Sequence, residues 1–304
     1  MRKILKYTLL FIILALFFWY IARGWDVEVL KQIDFNGIYL LVSLFCLIIH
    51  YFLASKLSHH LLIVKKPIAF KDYLNIYFLS QLGRYIPGKV WMILGKLEAL
   101  RKKGYSISWV SFAFFHEMLF MVLGAGVVSV LAFPFVEQLF NGLSVAYKWI
   151  ASFMLFAVIL FLRPVFIKLN ELYSRLAKKS SNVESKEYPY SQKTIYSMTL
   201  FYSFSWLLQG VGFSLLVKSI FPFAEISPML IFVYPVAWVF GFLALFSPSG
   251  LGVRESVLIF LLGFVFQPSE AAVLSIAARV WATSAELIVT LFSLIVFGIL
   301  KKQT

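Results

Sequence analysis

Aspartate is nearly missing from this chain. Only Asp26, Asp34 and Asp72 occur, none paired in sequence and none beyond Asp72. Metal-dependent transfer chemistry generally draws on clustered carboxylates, so a membrane-embedded transferase acting on a lipid-linked substrate stands as the alternative reading rather than the leading one. Cys46 is the only cysteine, which excludes an intrachain disulfide and reads as a small core residue. His50, His59, His60 and His116 form no ligand constellation beyond the adjacent His59-His60, so neither a metal nor another cofactor is expected. Charge is scarce too: 14% of residues are charged, against about 25% in soluble domains.

Hydrocarbon fills the space. With 61% hydrophobic residues and a mean hydropathy of +0.87, the chain reads as a polytopic membrane protein. The net charge of +14 sits in short basic clusters between apolar runs. That is the pattern of positive-inside topology, and it excludes nucleic acid as a partner. The aromatic load of 33 Phe, 15 Tyr and 8 Trp reads as interfacial belt and core.

Apolar runs predict spans over 4–21, 37–54, 107–133, 146–162, 195–217, 229–246 and 271–300. Residues 1–20 lack a small-x-small cleavage site and read as an uncleaved first helix. Basic residues place the N-terminus, the 56–71 loop, the 163–193 loop and Lys301-Lys302 in the cytoplasm, with 23–36 outside. The expected localisation is therefore the plasma membrane, with both termini cytoplasmic. The 163–193 loop carries seven basic and three acidic residues. Topology control explains it, while a docking surface of an accessory, non-transporting subunit is the other reading.

Two segments break the pattern. Ser247-Pro248-Ser249-Gly250-Leu251-Gly252-Val253-Arg254-Glu255 lies between hydrocarbon runs, yet it holds a proline, two glycines and an Arg-Glu pair. Broken backbone at membrane depth survives only where protein or a wet cavity satisfies its polar groups. Each buried charge there costs about 2.5–3.5 kcal/mol on insertion scales. Residues 73–95 form the second such segment, with Gly83, Arg84, Pro87, Gly88 and Lys89 and with basic clusters at both flanks. Both flanks prefer one face, which predicts a re-entrant or interfacial hairpin. Its Gly-x-x-x-x-Gly-Lys run is no P-loop: Val90 stands where Ser or Thr must meet Mg²⁺.

On the last helix Ser275, Arg279, Thr283, Glu286, Thr290 and Ser293 recur every three or four residues, giving one polar stripe. Hydroxyls alone would signal interhelical packing; Arg279 and Glu286 point instead to a functional cavity. Glu117 interrupts the apolar run of 107–133, and Arg84, Lys89, Arg254 and Arg279 are its candidate partners. His116 reads as a satisfied neighbour, and Tyr202, Ser205, Gln209 and Gly212 as a packing face. Gly83 precedes Glu117 by 34 residues and Gly250 precedes Glu286 by 36. Each half thus shows two plain spans, a broken segment and a helix with a buried Glu. Paired broken segments of this kind point to a transporter's midplane site and an internal pseudo-repeat.

The runs at 83–91, Glu117, 248–255 and Arg279 resemble the transmembrane, flippase-like region of lysylphosphatidylglycerol synthases, over essentially the whole chain. The resemblance implies one flippase-like integral membrane domain over 1–304, an all-α bundle of roughly seven to eight spans including broken or re-entrant helices. It implies lipid handling, with anionic or aminoacylated phospholipid or a polyprenyl-linked phosphate as ligand, and a separate lipid-modifying enzyme as partner. Because the sequence stops at Thr304, just past the last helix, synthase chemistry is not expected and no catalytic residue is assigned. The expected headgroup-binding set is Arg84, Lys89, Glu117, Arg254, Glu255, Arg279 and Glu286. The backbone breaks fall at Gly83, Pro87, Gly88, Pro248, Gly250 and Gly252. In this reading, N–H groups at a half-helix start and the arginine forks take a lipid phosphate.

Overall fold

A computed structural model describes residues 33–85, 90–132, 150, 153, 164–168, 171, 189–224, 228–244, 247 and 250–298. The expected span 4–21, most of the span 146–162, most of the 163–193 loop, Lys301-Lys302, and Pro87, Gly88, Lys89 and Pro248 lie outside these residues.

The described chain is helical, and no strand occurs in it. Among the described residues, four helices are long and apolar enough to cross a membrane. They are α1 (Gly37–Leu62), α4 (Ile107–Ala132), α5 (Gln192–Ile220) and α8 (Pro268–Ser293). At 1.5 Å per residue the shortest of them measures about 39 Å, ample for a hydrocarbon core of about 30 Å. The remaining helices are short: α2 (Phe70–Leu82), α3 (Val90–Lys102), α6 (Pro228–Leu243) and α7 (Val253–Leu262). None exceeds about 24 Å, so none crosses alone.

Capping sets where the long helices begin. The Asn36 side chain accepts from the N–H groups of Ile38 and Tyr39, and Ser191 accepts from Thr194. Each satisfies donors that the first turn leaves without intrahelical partners. Pro228 and Pro268 stand at the first helical position, where no N–H is missed.

Cross-links between helices fix their direction. The Asn36 N–H donates to Ser219 O at 2.9 Å, His50 Nδ1 lies 2.8 Å from Ser205 O, and Tyr190 OH donates to Leu61 O. Hence α1 and α5 run antiparallel along their whole length. One end of the bundle gathers Lys65, Lys66, Lys71 and Lys103. There Lys66 Nζ donates to Lys103 O at 2.9 Å, and Lys103 faces Asp72 at 4.0 Å. So α2 leaves and α3 returns at the same, lysine-rich face, which is the re-entrant hairpin expected for 73–95. Its turn opens with the 3-10 segment Gly83–Tyr85.

The second half mirrors this from the other side. Descending from the opposite face, α6 places Tyr234 against Phe213 and Trp238 against Trp206. The chain then turns, and α7 climbs back until Phe266 meets Phe221 at 6.2 Å between rings. Pro228–Leu243 is therefore no plain span, as the sequence suggested for 229–246, but one arm of a second re-entrant hairpin. Its sixteen residues measure about 24 Å, short of a hydrocarbon core of about 30 Å. Among the described helices the order is long helix, hairpin, long helix twice over: α1, α2–α3, α4, then α5, α6–α7, α8. The hairpins enter from opposite faces and each lies against the other half's last helix, α2 on α8 and α6 on α4.

Close approach at glycine makes the hairpins. A Cβ on Gly83 would sit 2.6 Å from Met92 N, and one on Gly250 would sit 2.8 Å from Gly241 O. Gly250 and Gly252 also take φ of +70° and +83°, a region costly for a residue with a Cβ. Gly83 and Gly241, rather than Gly83 and Gly250, hold corresponding places at the ends of α2 and α6. Glu117 comes ten residues into α4 and Glu286 eighteen into α8, so the two glutamates are not repeat equivalents despite their similar spacing.

Candidate functional site

The tips of the hairpins meet in a cavity of about 240 Å³ between α1, α4, α5 and α8. Its depth follows from the residues that line it. His50 and Tyr51 are at the middle of α1, Gln209 lies just beyond the middle of α5, and Ala282 and Thr283 are near the middle of α8. Tyr51 OH donates to Ala282 O, tying α1 to α8 at that level. The site lies halfway along helices that can span a bilayer.

The polar stripe on α8 organises it. Glu286, about one turn below Ala282, receives Arg84 from the α2–α3 tip, and Tyr85 OH donates to its other oxygen at 2.6 Å. Arg279, about one turn above, reaches Glu255 Oε1 of α7 at 3.2 Å. The stripe's outer members bind neighbours as well: Ser275 donates to Glu255 O, and Ser293 to Asn75. Two turns of one helix, about 10 Å, thus carry two ion pairs, one to each hairpin.

Glu255 is the most heavily engaged carboxylate. Besides Arg279, it faces Arg254 at 3.3 Å and accepts from the Gly252 N–H at 2.8 Å. Its own side chain therefore caps the start of α7. That corrects the expectation that this half-helix start offers its N–H groups to a ligand: a built-in carboxylate already takes one of them. Arg254 lies over the Tyr234 ring at 5.5 Å, and its Nε is buried without a partner. Gln209 Oε1 is buried and unpartnered as well. Unsatisfied polar atoms at a burial this deep are costly unless something fills the space they face.

Around the cavity the described residues set three guanidiniums, Arg84, Arg254 and Arg279, against two carboxylates, Glu255 and Glu286. One positive charge is in excess.

Glu117 does not join this group. It is 1% exposed and pairs at 2.6 Å with Lys96 of α3, none of the four partners the sequence offered. Lys96 also donates to Ser58 Oγ at 2.9 Å and lies within 5.5 Å of the Tyr73, Tyr77 and Phe114 ring centres. The pair fastens the first hairpin to α4. Sequence reasoning missed Lys96 because Glu98, Arg101, Lys102 and Lys103 surround it and read as a solvated run. Helical period carries the signal: Lys96 shares its buried face with Leu100, whereas Glu98 and Arg101 lie opposite. His50, Tyr51, Tyr77 and Tyr234 also line the cavity and were hidden among the aromatic and apolar runs, and Gln81, a polar residue of the 73–95 segment, lines it too. Gln209, expected to serve mainly packing, lines it as well. Helix α4 runs unbroken through His116 and Glu117, and His116 Nδ1 meets Phe112 O at 2.9 Å.

The family described as Lysylphosphatidylglycerol synthase TM region matches residues 5–299, and the chain belongs to it. No curated protein matches.

Proposed function

We propose that this member of the lysylphosphatidylglycerol synthase transmembrane family takes a lipid phosphate headgroup into its mid-depth cavity and passes it between the leaflets of the plasma membrane. The observation that carries the reading is the excess of arginine over glutamate at a buried site halfway along the spanning helices. An anion is the ligand such a site lacks. Arginine's planar fork suits phosphate oxygens, and in a low-dielectric site each charge-assisted bond is stronger than in water. The partner is membrane lipid of either kind, phospholipid or polyprenyl-linked phosphate. The site residues bind and release, and no chemical step is assigned to them. The lysine-rich face is cytoplasmic in this reading, and so are both termini.

The two ion pairs on α8 supply the moving parts. With the site empty, Arg84–Glu286 holds the hairpin from the lysine-rich face and Arg279–Glu255 holds the one from the opposite face. A phosphate arriving at Arg84 competes with Glu286 and loosens the first hairpin. One arriving at Arg279 competes with Glu255 and loosens the second. Access alternates because both latches share one rigid helix and one ligand.

Reconstituted vesicles with a fluorescent anionic phospholipid in one leaflet test this. Arg254→Gln and Glu286→Gln lower the rate of headgroup transfer at least tenfold while the proteins still elute as folded, monodisperse species. Wild-type rates in both variants would sink the proposal.

A further inference from the structure

The cavity lining is not all polar, and phosphate recognition uses only its polar part. Beside the arginines it includes an apolar wall of Met92 of α3, Phe114, Met118 and Met121 of α4, and Trp238 and Phe242 of α6. The spacing of the three α4 residues puts them on one helical stripe. Methionine is unbranched and adapts to irregular, flexible partners. A binding site for a free, hydrated anion gains nothing from such a wall. The cavity is also small: at about 240 Å³ it falls below the range of roughly 300–1,000 Å³ usual for drug-sized ligands. It holds a headgroup and the root of a chain, and never a whole lipid. Beside the wall, Trp91 and Leu94 on α3 and Phe240 and Leu243 on α6 are at least half exposed. On helices of a membrane protein such residues face lipid.

Resting on the headgroup reading above, we infer that the Met/Phe wall is a hydrocarbon subsite. The carbons that follow the phosphate, a glycerol backbone with its first acyl methylenes or the first isoprene unit, lie against Met92, Phe114, Met118 and Met121, and the rest leaves sideways over α3 and α6 into the bilayer. The ligand class is an alkyl-phosphate amphiphile recognised at both ends, not free phosphate or a water-soluble phosphate ester. The chain root therefore travels with the headgroup through the cavity.

Purified protein titrated calorimetrically with inorganic phosphate, then ethyl, butyl and hexyl phosphate below their self-association limits, tests the inference. Affinity rises about fourfold per methylene over the first few carbons, the increment expected for burying a CH₂. The double variant Met118→Gln, Met121→Gln flattens the rise, whereas Leu131→Gln, on an exposed part of α4, keeps it. Equal affinity for phosphate and hexyl phosphate in the unmodified protein overturns the subsite without any variant. So does a rise that the double variant leaves intact while it remains folded. Arg254→Gln separates the two ideas. If it weakens every ligand by a similar factor, the headgroup reading stands under the chain subsite. If it changes none, that reading fails and this one falls with it, whatever the slope.

Discussion

Lys96 and Glu117 show what a buried charge does at the scale of one residue. Each is almost fully enclosed, and their 2.6 Å contact is bounded by Ser58 and three aromatic rings. Removing one partner strands the other in a medium that solvates it poorly, at a cost of about 3–5 kcal/mol. Removing both leaves no stranded charge. Lys96→Met and Glu117→Gln are therefore each expected to lower the melting temperature in detergent clearly, and the double variant to recover part of that loss. Additive losses would show that the two side chains do not stabilise each other. Among the cavity arginines, Arg254 keeps a buried Nε without a partner, and in the proposed function that atom meets the ligand.

At the scale of the element, the hairpins are the unit that matters. A short helix entering a bilayer must turn around within it, and turning brings two backbones closer than a side chain permits. Gly83 against Met92 and Gly250 against Gly241 mark those contacts, and Gly250 adds a positive φ. Gly250→Ala meets both obstacles, the clash at 2.8 Å and a left-handed backbone worth about 1–2 kcal/mol. Gly126, with nothing within 4 Å of its added Cβ, serves as the control. Gly250→Ala should depress thermal stability and yield of folded protein, and Gly126→Ala should not. Comparable behaviour of the two would remove the packing argument for the hairpin. Pro, Gly and Arg in 247–255 made a break legible in the sequence. Which way the chain went afterwards was not legible, because 229–246 is apolar enough to pass for a full span and only its length of helix denies it.

At the scale of the whole molecule, the two halves are opposed. Hairpins that enter from opposite faces predict a specific pattern of exposure. In a Cys46→Ala background, Lys66→Cys and Lys103→Cys should both react with a membrane-impermeant thiol reagent from one side. Asp34→Cys and Phe223→Cys should react only from the other. Labelling of positions 66 and 103 from different sides would turn the first hairpin into a crossing pair and dismantle the repeat. Composition alone determined that this chain is a helical membrane protein, because transfer of so much apolar surface admits no other solvent and a bilayer demands that backbone bonds close within each segment. Period and local chemistry also singled out the α8 stripe and the two breaks. Pairing lay beyond them: Arg84 meets Glu286 across 202 positions, and Glu117 selects Lys96 over four other cations. Ion pairs between helices depend on which faces the packing turns toward each other, and close approaches such as Gly124 to Tyr202 and Gly212 to Ser43 help to set that rotation.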